Sequence, residues 1–131
     1  MNAVSKDVKD MLAAESSLAL TYAKDLFIGV EPTKPDNTVT IFDTPSFPPD
    51  LYMDPTERYY YSSIQIRVRN TGYTEGITLA RNIMELLHAR ANETWNGTLY
   101  TVITATGEPA WLDMDANHRS RFIVNFNLQR R

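Results

Sequence analysis

Hydrophobic and polar residues alternate with a period of two over much of the chain, which is the spacing of half-buried β-strands. The longest alternations cover residues 58–70 and 121–129, and residues 38–43 repeat the pattern with β-branched side chains. Residues 26–30 form a short apolar run, and residues 99–105 are apolar on both faces, as in a central strand. These patterns predict a sheet.

Two segments show a helical period instead. Ser5 is a predicted N-cap for a helix over residues 5–14. A second helix is predicted from Thr74 to about Arg90, with His88 late in it, where a cation complements the helix dipole. Its apolar stripe consists of Ile77, Ala80, Ile83, Met84 and Leu87. The expected fold is α+β, an antiparallel or mixed sheet with both helices packed on one face.

A long proline-rich loop is predicted over residues 43–57, which contain four prolines and no base. Loops of this length inside a compact domain are usually functional or mobile. Its apolar residues have no period that would bury them, so an assembly surface is one interpretation, and folding back onto the parent domain is the other. The apolar set is Phe47, Leu51, Tyr52 and Met53, and the acidic set is Asp43, Asp50, Asp54 and Glu57.

Length, cysteine content and charge narrow the class of protein. The 131 residues suit a single domain over residues 1–131, and no apolar run reaches the ~18 residues of a membrane helix. The start of the chain resembles no secretory signal, and zero cysteines exclude thiol chemistry, so we expect a cytosolic protein. A net charge of −3 disfavours binding to DNA phosphates.

The charge is divided unevenly along the chain. Residues 1–57 hold ten acids and four lysines, a balance of −6, whereas residues 58–131 hold nine arginines and six acids, a balance of +3. The division reflects either chance composition within one domain or complementary surfaces that meet between subunits.

No motif in the chain predicts catalysis or metal binding. The two histidines lack the spacing of a metal site, and no nucleophile elbow or phosphate loop is present. A calcium-loop start is imitated by Asp113, Asp115 and Asn117. His118 replaces the required glycine and Val124 the bidentate glutamate, so a plain hairpin turn is predicted. We therefore expect no enzyme and no cofactor.

The outward face of the predicted sheet is polar without forming a catalytic constellation. Its members are Gln65, Arg67, Arg69, Arg121, Asn125 and Asn127. A polar face beside exposed aromatics and extended loops is typical of an assembly subunit. Arg67, Arg69 and Arg121 are therefore expected at an assembly interface.

The order of these segments resembles the tail terminator, or "minor capsid", proteins of long-tailed (siphovirus-like) bacteriophages. The resemblance rests on residues 25–29 (DLFIG), 35–37 (PDN), 39–44 (VTIFDT), 63–69 (SIQIRVR), 86–88 (LLH) and 119–126 (RSRFIVNF), together with Pro32. The chain departs from the pattern at Pro45-Ser46 and at Ala89, where the family tends to have glycine.

The resemblance implies a non-enzymatic virion protein whose copies form a ring, usually a hexamer, that caps the tail tube. Such a ring stops tube polymerisation and joins the tail to the head connector or stopper protein, after assembly in the host cytoplasm. Genomic DNA passes through the lumen without specific binding, so Asp43, Asp50, Asp54 and Glu57 either meet arginines or face the lumen. Two alternatives remain, another head–tail part (a stopper or tube subunit) and a small cytosolic ligand-binding domain or enzyme.

Overall fold

A computed structural model describes residues 1–50, 53 and 59–131. Its elements are α1 (Val4–Ala14), β1 (Leu26–Ile28), β2 (Thr38–Thr44), β3 (Tyr60–Asn70), α2 (Tyr73–Leu87), β4 (Arg90–Trp95), β5 (Thr98–Ala105), β6 (Ala110–Met114) and β7 (Ser120–Arg130). The predicted α+β class is confirmed.

The strands form one mixed sheet in the order β1-β2-β3-β7-β5-β4, with β6 pairing to β7 as well. β1 and β2 are parallel, and every other pair is antiparallel. At the centre, β3 and β7 pair in register from Tyr60–Arg130 to Asn70–Ser120. On its other edge β7 pairs with β5 near its C-terminal end and with β6 near its N-terminal end.

One hydrophobic cluster contains side chains from both helices and from β1, β2, β3, β5 and β7. The alternation predicted for the last strand is confirmed, because Phe122, Val124, Phe126 and Leu128 are all buried. On β3 the buried residues of the predicted face are Ile64, Ile66 and Val68. Of the predicted α2 stripe, Ala80, Ile83 and Leu87 are buried, and Ile77 and Met84 pack partly buried against the cluster.

The predicted N-cap of the first helix is wrong. The helix begins at Val4 after Ala3, and Ser5 lies within its first turn. The backbone N–H and Oγ of Ser5 both donate to the carboxylate of Asp43 on β2, at 3.1 and 2.7 Å. A residue distant in sequence thus satisfies an amide that a local cap normally satisfies.

A second buried contact ties α1 to the β4–β5 hairpin. The carboxylate of Asp7, fully buried, accepts hydrogen bonds from the Tyr100 hydroxyl and from Nδ2 of Asn96. Burial raises the pKa of Tyr100, and the bond to Asp7 raises it further. Asn96 and Gly97 have positive φ angles of 51° and 81°, as the two central residues of a tight hairpin turn require.

The second helix ends earlier than predicted. It closes at Leu87, and Ala89 adopts a φ of +67°, a conformation that glycine favours. From Arg90 the chain continues as β4, a strand that the sequence analysis missed. His88 is the C-cap, and its Nδ1 accepts a hydrogen bond from the Ala105 N–H at 3.0 Å, which ties the end of α2 to β5.

Gly76 allows α2 to lie directly against β7. A methyl group at this position would come within 2.9 Å of Cδ2 of the fully buried Phe122 ring and 3.1 Å of Cβ of Asn70. The absence of a side chain therefore sets the distance between helix and sheet. Within the described residues, no helix is both long and apolar enough to cross a membrane.

We expect Gly76→Ala to destabilise the protein, although alanine in a helix interior is normally favoured over glycine by about 1 kcal/mol. The added methyl group overpacks the Phe122 ring, at a cost of about 1–3 kcal/mol. Denaturant unfolding measures the difference, with Thr78→Ala, an exposed position on the same helix, as the control that stays within about 0.5 kcal/mol of wild type. A Gly76→Ala protein more stable than wild type would show that the helix does not lie this close.

Candidate functional site

The polar face of the sheet, opposite the hydrophobic cluster, carries a cross-strand pair of arginines. Alternation along β3 and β7 sends Arg69 and Arg121 to this face, and the register places them directly opposite each other. Like charges in that position destabilise a sheet unless carboxylates neutralise them. The carboxylates come from Glu31, in the loop between β1 and β2, and from Asp113 on β6.

Arg69 is 3% exposed and anchors the loop at residues 29–37 to the sheet. Its guanidinium donates to the carbonyl oxygens of Pro35 at 2.7 Å and Asp36 at 3.1 Å, and to Oε1 of Glu31 at 3.3 Å. Burial lowers the pKa of Arg69, and the nearby charge of Arg119 lowers it further. The charges of Glu31 and Asp115 and the hydrogen bond to Glu31 oppose that effect on the pKa of Arg69. Because Arg69 is enclosed by these groups and by the loop carbonyls, the network is an internal structural support rather than an open binding site.

Arg119 is also buried and donates hydrogen bonds to the same loop that Arg69 holds. Its Nε donates to Oδ2 of Asp115 at 2.8 Å, and its Nη1 donates to the Thr33 carbonyl at 2.5 Å and to Oδ1 of Asp36 at 3.2 Å. The sequence analysis missed this residue because it precedes the alternating strand. The one signal that could have found it is the acid four positions earlier, Asp115.

Arg121 forms a bidentate ion pair with Asp113, in which Nε donates to Oδ1 at 2.5 Å and Nη2 donates to Oδ2 at 2.6 Å. The hydrogen bond from Arg121 lowers the pKa of Asp113, and the same contact raises the pKa of Arg121. Asp113 and Asp115 are therefore both paired with arginines, in keeping with the predicted hairpin turn. Among the residues the structure describes, no group of three or more His, Asp or Glu side chains could hold a metal ion.

The rest of the polar face consists of side chains that hydrogen-bond to one another. Oγ of Ser63 donates to Oδ1 of Asn127 at 2.8 Å, and Nε2 of Gln65 donates to Oδ1 of Asn125 at 3.3 Å. Arg67 donates to Oε1 of Gln65 at 3.1 Å and lies 3.8 Å from Glu31. The ionisable side chains described on this face converge as ion pairs, with Glu31 contacting Arg67, Arg69 and Arg121.

The predicted assembly arginines therefore differ in accessibility. Arg67 and Arg121 keep about a quarter of their side chains exposed, whereas Arg69 is enclosed by its own chain. Glu31 and Asp36 of the acidic half pair with arginines of the basic half within one chain. This part of the charge division is thus internal to the fold.

The proline-rich segment is described at residues 43–50 and 53. Phe47 is 79% exposed and Met53 is fully exposed. Phe47 borders a pocket of about 230 Å³ on the polar face, together with Val102, Asn127 and Gln129. Four predicted residues, Leu51, Tyr52, Asp54 and Glu57, lie outside the described part of the chain.

The two described acids of this segment already have partners. Asp43 accepts the bonds from Ser5. Asp50 accepts a hydrogen bond from the Tyr61 hydroxyl at 2.5 Å, and its backbone N–H donates to the Tyr59 carbonyl at 3.0 Å. These contacts tie Asp43, near the end of β2, to α1, and tie Asp50 to Tyr61 on β3 and to Tyr59 just before it.

Comparisons with known proteins place this fold. A family model described as "Bacteriophage tail terminator protein" matches residues 15–131. A solved structure described as the virion of a native gene transfer agent (GTA) particle superposes with a TM-score of 0.68 at 15% identity, covering 98% of this chain and 94% of that one. A second solved structure superposes with a TM-score of 0.60 at 13% identity, covering 98% and 91%. No curated protein matches.

We expect Glu31→Gln to lower the free energy of unfolding by about 3 kcal/mol. The substitution removes the negative charge beside Arg69 and leaves the positive charge of Arg69 buried without it. Denaturant unfolding measures the change. Glu85→Gln, an exposed position on α2, is the matched control and stays within about 0.5 kcal/mol of wild type. Equal stability of the two variants would show that the loop is not held by this charge network.

Proposed function

Because the chain belongs to the bacteriophage tail terminator family, we propose that six copies of it form a ring that caps the completed tail tube. The ring stops tube polymerisation and joins the tail to the connector or stopper at the head-proximal end. Genomic DNA passes through the lumen without sequence-specific contact. Assembly takes place in the host cytoplasm, and the protein's role is structural rather than enzymatic.

The family match carries this proposal, since residues 15–131 include all seven strands and α2. The fold likeness to a chain of a virion particle agrees with it at the level of architecture. Fold alone would not identify the role, because one fold serves many functions.

The polar face supports a structural role. Its arginines, amides and hydroxyls bond to one another, and its buried guanidinium groups hold a loop of the same chain. Large exposed apolar side chains of the proline-rich segment are Phe47, which borders the pocket on this face, and Met53. A contiguous surface of such groups is one that another protein covers.

Acidic residues of the proline-rich segment complete the proposal. We assign Asp43, Asp50, Asp54 and Glu57 to the lumen or to an acidic interface. Carboxylates that line a channel repel DNA phosphates, which lets the duplex pass without adhering. Phe47, Leu51, Tyr52 and Met53, with the exposed parts of Arg67 and Arg121, are assigned to assembly contacts.

Sedimentation and negative-stain imaging of the purified protein, alone and mixed with the tail tube protein, test the role. We expect a ring of about 90 kDa, six times the 15.0 kDa chain, bound at tube ends, with tube growth arrested. A chelator should leave the ring intact, because no metal-ligand cluster occurs among the described residues. Open filaments would indicate a tube subunit, and binding to the connector without tubes would indicate a stopper. A monomer that leaves tube growth unchanged would refute the proposal.

Phe47→Ser should leave folding intact and reduce capping of tubes, because the ring of Phe47 is exposed in the single chain and free to contact a partner. Phe47→Leu keeps the apolar bulk and serves as the control that caps normally. Tube length and the yield of infectious particles are the measurements, with thermal unfolding as a check on the fold. Normal capping by Phe47→Ser would place the joining surface elsewhere.

A further inference from the structure

Strand β6 has one edge without a strand partner in the described chain. β6 pairs only with β7, on the same edge of β7 as β5 but nearer the N-terminal end of β7. β4 covers the outer edge of β5 alone. An unpaired edge presents backbone N–H and C=O groups that natural proteins pair, cover or blunt with charge. On β6 the exposed residues are Ala110, Trp111, Leu112 and Met114, so the edge is apolar rather than charged.

An aromatic patch borders this edge. Trp111 lies directly across from Phe122, and Met114 lies across from Ser120, two residues earlier on β7, so both side chains project on the Phe122 face of the sheet. Tyr73, at the start of α2, packs edge-on against the same Phe122 ring with centroids 5.1 Å apart. Tyr73 and Trp111 nevertheless remain 58% and 50% exposed. Together with Met114 they form an apolar surface that nothing in the described chain covers.

One row of paired residues runs across the sheet from β6 to the opposite edge, at β1. The register links Ala110 to Ile123, Ile123 to Arg67, Arg67 to Thr40 and Thr40 to Phe27. The two edges are therefore level, about 19 Å apart across four strand spacings. The outer backbone of Leu26 is bonded within the chain, since its N–H donates to the Thr21 carbonyl and its carbonyl accepts from the Ala23 N–H. The β1 edge therefore presents mainly side chains, among them the exposed Tyr22 and Val30.

We infer that the β6 edge and its patch of Tyr73, Trp111 and Met114 dock against the β1 edge of a second copy of this chain. The inference rests on the proposed ring and names the surfaces that build it. Because the two surfaces differ, the contact is heterologous, and repetition closes into a ring when the rotation between copies allows.

Strand direction and charge favour this occupant. β1 and β6 run in opposite directions, so a second copy placed level with the first brings the side chains that border β1, rather than an unpaired β1 backbone, alongside β6. That alignment brings the start of β1, with the exposed Lys24, to the end of β6, where the Asp113 carboxylate, already paired with Arg121, still keeps 43% of its side chain exposed. Opposite charges at the rim orient such an encounter.

Site-specific crosslinking tests the arrangement, since a chain without cysteine gains only the thiols introduced into it. Ala23→Cys marks the β1 side and Ala116→Cys the β6 side, both at exposed alanines outside the patch. Each variant alone, and an equal mixture of the two, is treated with a short bis-maleimide in the presence and absence of tail tube protein. We expect crosslinked dimers in the mixture only.

Each other outcome is decisive. Crosslinking within a single variant would indicate like-with-like contacts and overturn the inference. Rings that form without any crosslink would overturn it while leaving the proposed function standing. Crosslinked rings that fail to cap tubes would support the interface and refute the function. A protein that stays monomeric and uncrosslinked would refute both.

Replacing Trp111 supplies an independent readout. Trp111→Gln should raise the protein concentration at which rings form by about tenfold or more, as expected for loss of an aromatic anchor at an interface. Trp111→Tyr retains an aromatic ring and should assemble close to wild type. Thermal unfolding of the dilute proteins confirms that both variants fold. Unchanged ring formation by a folded Trp111→Gln protein would overturn the inference.

Discussion

The pairing of β3 with β7 imposes the constraint on which the polar half of the molecule depends. Full register along these strands places Arg69 directly opposite Arg121, and the fold holds two positive charges together only because carboxylates reach them. Glu31 bonds to both arginines, and reaching them requires the loop after β1 to cross the polar face before it returns as β2. The parallel β1–β2 connection and the buried arginines therefore stabilise each other.

The same constraint explains the uneven division of charge along the sequence. Two acids of the first half, Glu31 and Asp36, form ion pairs with arginines of the second half inside one chain. Most of the polar groups on this face bond within the chain, and those without a hydrogen-bond partner in the described chain, such as Oγ1 of Thr40 and Nε of Arg67, are buried rather than open to a ligand. Large exposed apolar side chains lie instead at the β6 edge, at Trp111, and in the proline-rich segment, at Phe47.

Sequence patterns predicted those features that depend on local periodicity. The alternations of β3 and β7 identified their buried faces because each strand has one face on the core. β4 escaped notice because an edge strand with an exposed face needs no alternation. The predicted N-cap at Ser5 was wrong because Asp43, 38 residues away, supplies the acceptor for the Ser5 N–H and hydroxyl. No local sequence motif encodes a contact at that distance. Ala89 shows the reverse case, since it adopts the left-handed backbone that glycine favours, at a position where the resemblance led us to expect glycine.

Added salt affects the internal ion-pair network and the proposed assembly contacts to different extents. Exposed ion pairs are screened over about 8–10 Å near physiological ionic strength, whereas buried pairs such as Arg69–Glu31 are screened much less. If the charged halves met mainly between subunits, rings would dissociate steadily with added salt. Because several of those charges are already paired within the chain, apolar edges carry most of the proposed contact. Rim charges such as Lys24 then contribute to the rate and orientation of assembly more than to its final stability.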